Sequence, residues 1–155
     1  MAIERAGVSS MGVLFTVGYE RRSISGFIDT LKQQGVETLV DVRQYPNSRR
    51  KGFSKSALIR ALAEVGIAYE SISDLGSPPE LRKEYRSTGD VARFFECFEL
   101  HLDVQGEALQ RLLERAQTEI CCLLCYERDP NLCHRKIVAD RIEALDGNGL
   151  RVCHL

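Results

Sequence analysis

The chain alternates between two periodicities, and that alternation limits its fold more than any other feature. Short apolar runs at residues 13–19, 36–42, 67–72, 119–125 and 150–154 read as strands. Between them, apolar residues recur at helical spacing. Ser23 caps a helix carrying Ile24, Phe27, Ile28 and Leu31, which Gly35 closes. Ser54 caps a second through Leu58, Ala61, Leu62 and Val65, which Gly66 ends. After the break at Pro78-Pro79, helical patterns follow at residues 80–85, 90–102, 107–117 and 136–145. Strands alternating with helices imply right-handed crossovers and parallel pairing. The expected architecture is therefore a three-layer, Rossmann-like α/β domain. Its mostly parallel sheet of about five strands has helices on both faces. Residues 1–11 show no periodicity and read as a flexible N-terminal tail, leaving 12–155 as a single domain.

In such sheets ligands bind beyond the carboxyl ends of the strands, near a switch point in strand order. That rule brings Gly18-Tyr19-Glu20, Asp41-Val42-Arg43 and Cys125-Tyr126-Glu127 onto one rim, although they are far apart in sequence. The densest chemistry lies between Cys125 and Arg135, where two thiols, a carboxylate, an imidazole and a guanidinium fall in the turn from a buried strand to a helix. Asp129 or Asn131 is the expected cap of that helix, with Pro130 in its first turn. Cys133 then falls within the first turn, where the helix dipole and the neighbouring His134 and Arg135 favour thiolate. Cys133 is the candidate nucleophile. Glu127, His134 and Glu20 are candidates for proton transfer. Arg135 is a candidate anion ligand at a helix N-terminus. Asp41 is expected to orient Arg43 or a loop amide.

Charge adds a second theme. Net charge is −1, which argues against general polyanion binding. Yet residues 42–63 contain no acidic side chain, while Arg43, Arg49, Arg50, Lys51, Lys55 and Arg60 are all there. Arg43, Ser48 and Arg49 are thus candidates for holding a phosphate or carboxylate, or a short length of nucleic-acid backbone. No apolar run is long enough to span a bilayer, and no export signal is seen, so a cytoplasmic location with no membrane partner is expected.

In that setting the six cysteines do not read as a disulfide framework. Cys122 and Cys125 have redox spacing but lie along a strand, where i and i+3 face opposite ways. Cys121 and Cys122 read as buried apolar side chains. A metal on Cys125, Glu127, Cys133 and His134 is disfavoured: residues 133 and 134, both on a helix, diverge by about 100°. No metal ligand is assigned on these grounds, and no nucleotide-cofactor motif is present.

Together these pieces resemble the family named domain of unknown function 488. They are Thr16-Val-Gly18-Tyr19 with Ser23 and Phe27; Leu39-Val-Asp41-Val-Arg43 with Pro46, Ser48 and Phe53; Tyr69 and Leu75-Gly76; and Cys122-Leu-Leu-Cys125-Tyr-Glu127 with Cys133-His134-Arg135. The chain departs from the common pattern at Tyr19-Glu20, where many relatives resemble Gly-His-Ser. The resemblance implies a Rossmann-like domain and a site built from those pieces, in which Gly18, Tyr19 and Cys125 join the binding residues. It implies no established reaction.

Two functional classes follow. One is a small enzyme with a Cys/His/Glu/Arg site acting on an anionic substrate of nucleotide or nucleic-acid origin. The other is a non-catalytic domain binding the same ligands, with a zinc-stabilised scaffold as a third course.

Overall fold

The computed structural model describes residues 12–155, so the expected tail at residues 1–11 lies outside the described residues. Strand β1 (Val13–Gly18) leads into α1 (Ile24–Gln33), where the Ser23 hydroxyl accepts from the Gly26 amide at 3.1 Å. β2 (Thr38–Asp41), α2 (Lys55–Ala63) and β3 (Ala68–Ser71) follow. Three helices then run in succession: α3 (Pro79–Thr88), α4 (Val91–Asp103) and α5 (Gly106–Thr118). β4 (Cys121–Cys125), α6 (His134–Asp146) and β5 (Arg151–His154) complete the described chain. α3 runs three residues past the predicted end at residue 85. Gly89, at φ 69°, supplies the left-handed turn that stops it.

The five strands form one wholly parallel sheet in the order β3-β2-β4-β1-β5. β4 is buried along its whole length because it has a strand on either side and helices on both faces. Its side chains alternate between the two layers. Cys121, Leu123 and Cys125 join the core of α4, α5 and α6, while Cys122 and Leu124 join that of α1 and α2. The redox-spaced pair Cys122 and Cys125 is thus split across the sheet, as the strand period requires.

Register aligns the carboxyl ends. Gly18 pairs with Cys125 and Asp41 with Leu124, so the segments after β1, β2 and β4 emerge side by side. The β1–β4 pairing continues past the strands through Tyr19 N to Cys125 O (3.1 Å) and Glu20 N to Tyr126 O (2.9 Å). Among the described residues no helix is long and apolar enough to cross a membrane.

Candidate functional site

Gly18 is where the rim closes most tightly. A Cβ built there would lie 1.8 Å from the Glu127 carbonyl oxygen, so only glycine lets the two segments touch. The segment following Gly18 contributes Tyr19, whose ring stacks on Phe53 at 4.7 Å and meets the edge of Tyr126 at 5.3 Å. The Arg43 guanidinium lies 5.4 Å from the Tyr19 ring centre, within cation–π range.

Arg43 itself is committed. Asp41, fully buried at the end of β2, accepts from Arg43 Nε (2.8 Å), Nη2 (2.7 Å) and the backbone amide (3.1 Å), while Arg43 Nη1 donates to Phe53 O at 2.8 Å. The second Asp41 oxygen also accepts from Tyr69 Oη at 2.5 Å. Burial disfavours the charged guanidinium, but Asp41 prevails and holds it above its ordinary range. Burial and the Asp41 charge likewise push the Tyr69 hydroxyl up. Asp41 plays the orienting role expected of it and fixes the Arg43 side chain in place.

Arg135 departs further from expectation. It is 0% exposed, and its donors turn inward. Nε donates to Thr16 Oγ1 at 3.1 Å, Nη1 to the Glu127 carbonyl, and Nη2 to the Arg128 carbonyl at 3.2 Å. Burial lowers its pKa to about 10. An anion at the helix N-terminus would find this side chain occupied, because it ties down the loop after β4.

The cap of α6 also differs from prediction. Asp129 caps a separate turn, Pro130–Leu132, by accepting from Asn131 N at 2.9 Å. Cys133 is the true N-cap of α6, with extended backbone (φ −130°, ψ 140°), and its sulfur accepts from Arg135 N at 3.5 Å. From there it faces β4, where Cys125 stands on the same side of the sheet. The two are joined as a disulfide, S–S 2.07 Å. The expected free thiol at Cys133 is therefore corrected. Strand period and cap geometry aim both sulfurs at one point. Cys121 and Cys122 are free and buried as expected, and burial pushes the Cys121 thiol up to about 12.

His134 packs against the Phe98 ring edge at 5.2 Å, and its Nε2 lies 2.8 Å from the Val42 carbonyl. A carbonyl only accepts, so Nε2 carries the proton and the neutral ring keeps a lone pair on Nδ1. Nδ1 lies 3.9 Å from Cys133 Sγ. Burial lowers the His134 pKa to about 4. As pH falls the unfolded chain takes the proton first, so stability is full above about 6.5 and is lost as pH drops through about 4. We expect urea denaturation of the disulfide form to show His134 removing about 3 kcal/mol between pH 7 and pH 4. An identical pH dependence in His134→Gln would count against this assignment.

Glu127 is half-buried, with Oε2 3.4 Å from Cys125 Sγ. Burial raises its pKa against the pull of the Arg135 and Arg82 charges. Glu20 turns away and accepts from Arg128 N at 3.0 Å, so it organises the loop from outside the site.

A pocket of about 360 Å³ opens over this cluster. Cys125, Glu127 and His134 line it together with Tyr19, Arg43 and Tyr126. Cys133, Asp41 and Arg135 are buried and do not line it. The opposite wall comes from α3, which presents Arg82, Tyr85 and Arg86 at i, i+3 and i+4. The sequence did carry a signal for this wall. From Glu80 to Thr88 only Leu81 and Tyr85 are apolar, too few for a full core-facing stripe, so the arginines of this helix were free to face a cavity. Gln44 and Tyr45 close the side, and Gly76 presses so near the Gln44 amide that a Cβ would lie 2.3 Å away. Arg82 and Gln44 both line the pocket, and Arg82 Nε and Gln44 Oε1 are buried with no hydrogen-bond partner among the described residues. Ser48 and Arg49 stand apart: the Ser48 hydroxyl accepts from Arg50 N at 3.1 Å, and Arg49 is exposed outside the pocket.

The profile of the family described as "Domain of unknown function DUF488" matches residues 23–142. No curated protein and no solved structure matches the chain.

Proposed function

The chain belongs to the DUF488 family, and on that premise we propose that it is a small cytoplasmic enzyme whose pocket takes an anionic, nucleotide-class ligand. The observation that carries this reading is Arg82, which lines the pocket with Cys125, Glu127 and His134 and whose buried Nε has no acceptor among the described residues. A buried charged donor left unpaired costs about 1–3 kcal/mol or more, and a phosphate or carboxylate beside the guanidinium offsets part of that cost through its charge. Arg86, one turn along, adds a second positive charge. Tyr45 and Tyr126, 58% and 47% exposed, offer aromatic faces to a base. A ligand anchored in this way presents its other end to the Cys125/Cys133/His134 cluster, with Glu127 placed for proton transfer.

Calorimetric titration with a panel of nucleoside mono- and diphosphates tests the reading. Arg82→Gln is expected to weaken binding roughly tenfold to a hundredfold, the loss of one charge-assisted contact worth about 1.5–3 kcal/mol. Loss on Arg49→Ala with no change in Arg82→Gln would move the anion site to the exposed loop and overturn the reading. Tight binding with no conversion of any panel member would favour the non-catalytic domain.

A further inference from the structure

We propose that the reduced protein holds one thiolate-preferring divalent cation of the zinc class on Cys125 Sγ, Cys133 Sγ and His134 Nδ1. These three atoms lie within 4.8 Å of one another and all three residues are buried. Tetrahedral zinc, with Zn–S about 2.3 Å and Zn–N about 2.0 Å, sets its ligand atoms roughly 3.5–3.8 Å apart. Cys133 Sγ and His134 Nδ1, at 3.9 Å, already stand near that spacing.

The objection drawn from helical geometry disappears in the structure. Residues 133 and 134 diverge only if both are helical, and Cys133 is an extended N-cap. Its sulfur and the His134 ring therefore converge. The surroundings also fit a metal centre. His134 gives its Nε2 proton to the Val42 carbonyl, the outer contact that fixes a ligating imidazole with its free lone pair inward. Each sulfur has an N–H donor from Arg135: the backbone amide to Cys133 at 3.5 Å and Nη1 to Cys125 at 3.9 Å. A fully buried guanidinium with no carboxylate ion pair among the described residues suits a centre bearing two thiolates.

Three protein ligands leave a fourth position, as catalytic zinc sites do. Cys125 and His134 line the pocket, so the open position faces the cavity beside Glu127. The proposal rests on the reading above only in placing the reactive centre in this pocket. A dithiol reductant gives two electrons and two protons to the Cys125–Cys133 disulfide and is itself oxidised to a disulfide. The cation then displaces both thiol protons. The oxidised form has no thiolates to offer, so the disulfide and the metal centre are alternative states of the same pair.

The test uses the full chain, reduced anaerobically with a phosphine and titrated with Co²⁺, then Zn²⁺. One Co²⁺ per chain is expected, with thiolate charge-transfer absorption and the d–d bands of a tetrahedral site, displaced by Zn²⁺. The oxidised protein should show neither. Cys133→Ser, Cys125→Ser and His134→Ala should each weaken Zn²⁺ binding beyond the roughly 10–100-fold that outer-shell changes cost. Cys153→Ser should leave it unchanged. Circular dichroism checks each fold, and if His134→Ala unfolds, the two cysteine variants decide. No cobalt uptake by reduced wild-type protein, or wild-type spectra from Cys125→Ser, would overturn the proposal. Nucleotide titration of the same samples separates the two readings. Binding of nucleotide without metal removes only the metal site, and uptake of metal without nucleotide removes only the Arg82 reading.

Discussion

Asp41→Ala is expected to destabilise the protein by about 3–5 kcal/mol, the cost of removing one partner of a buried ion pair. The effect is large because one carboxylate serves three groups: the Arg43 guanidinium, the Arg43 amide and the Tyr69 hydroxyl. Arg43 is only 7% exposed, so its charge is largely cut off from water once Asp41 is gone. Urea denaturation should show a lower midpoint with an unchanged slope. Adding Arg43→Met to Asp41→Leu should recover much of the loss, since replacing a whole buried pair with apolar side chains costs far less than breaking it. A loss below about 1 kcal/mol in Asp41→Ala would mean that Arg43 swings out to solvent, and the account of its burial would fail.

Gly18→Ala should do comparable damage by a different route. Its new methyl would lie 1.8 Å from the Glu127 carbonyl oxygen, 2.4 Å from the carbonyl carbon and 2.9 Å from the Arg128 nitrogen. All three are backbone atoms. The 127–128 segment is also held from the other side by Arg135. It can make room only by giving up those bonds, which shifts Glu127 away from Cys125. We expect a loss of about 4 kcal/mol or more, a range reached only through overpacking or a broken buried network. Reduced Gly18→Ala should also lose its nucleotide and cobalt binding. Gly106→Ala is the control: its Cβ meets nothing within 4 Å, at the first position of a helix, so it should be neutral or slightly stabilising. Equal stability of the two variants would refute the close approach at Gly18.

Much of this was legible before any coordinates. The uninterrupted apolar run ending at Cys125 marked a strand buried on both faces, and it is the middle strand of the sheet. The rule that parallel strands share one carboxyl edge gathered Tyr19, Arg43, Cys125 and Glu127, which do line one pocket, and Glu20, which does not. What failed was the fate of individual polar groups. Arg43, Arg82 and Arg135 look alike in sequence. Arg43 is fixed by Asp41 at the pocket lining, Arg135 is consumed by loop carbonyls, and Arg82 lines the pocket without such a partner among the described residues. That sorting depends on which backbone carbonyls the fold leaves without amides, which no local pattern encodes. The Cys125–Cys133 pair was missed for a related reason. Three polar residues, Asp129, Asn131 and Cys133, compete to cap one helix, and only tertiary packing makes Cys133 the winner.

The strand order has a consequence for how the chain is made. β1 and β2 are not neighbours; each pairs with β4, which is synthesised after five of the six helices. While a nascent chain is shorter than Cys121, only β2 and β3 can join. β1 must wait for its first strand partner until residues 121–125 leave the ribosome. Such late, distant pairing folds slowly and exposes apolar surface meanwhile. When β4 does insert, it joins both halves of the sheet and delivers Cys125 to the rim in the same movement, so the pocket has no existence in a partly made chain.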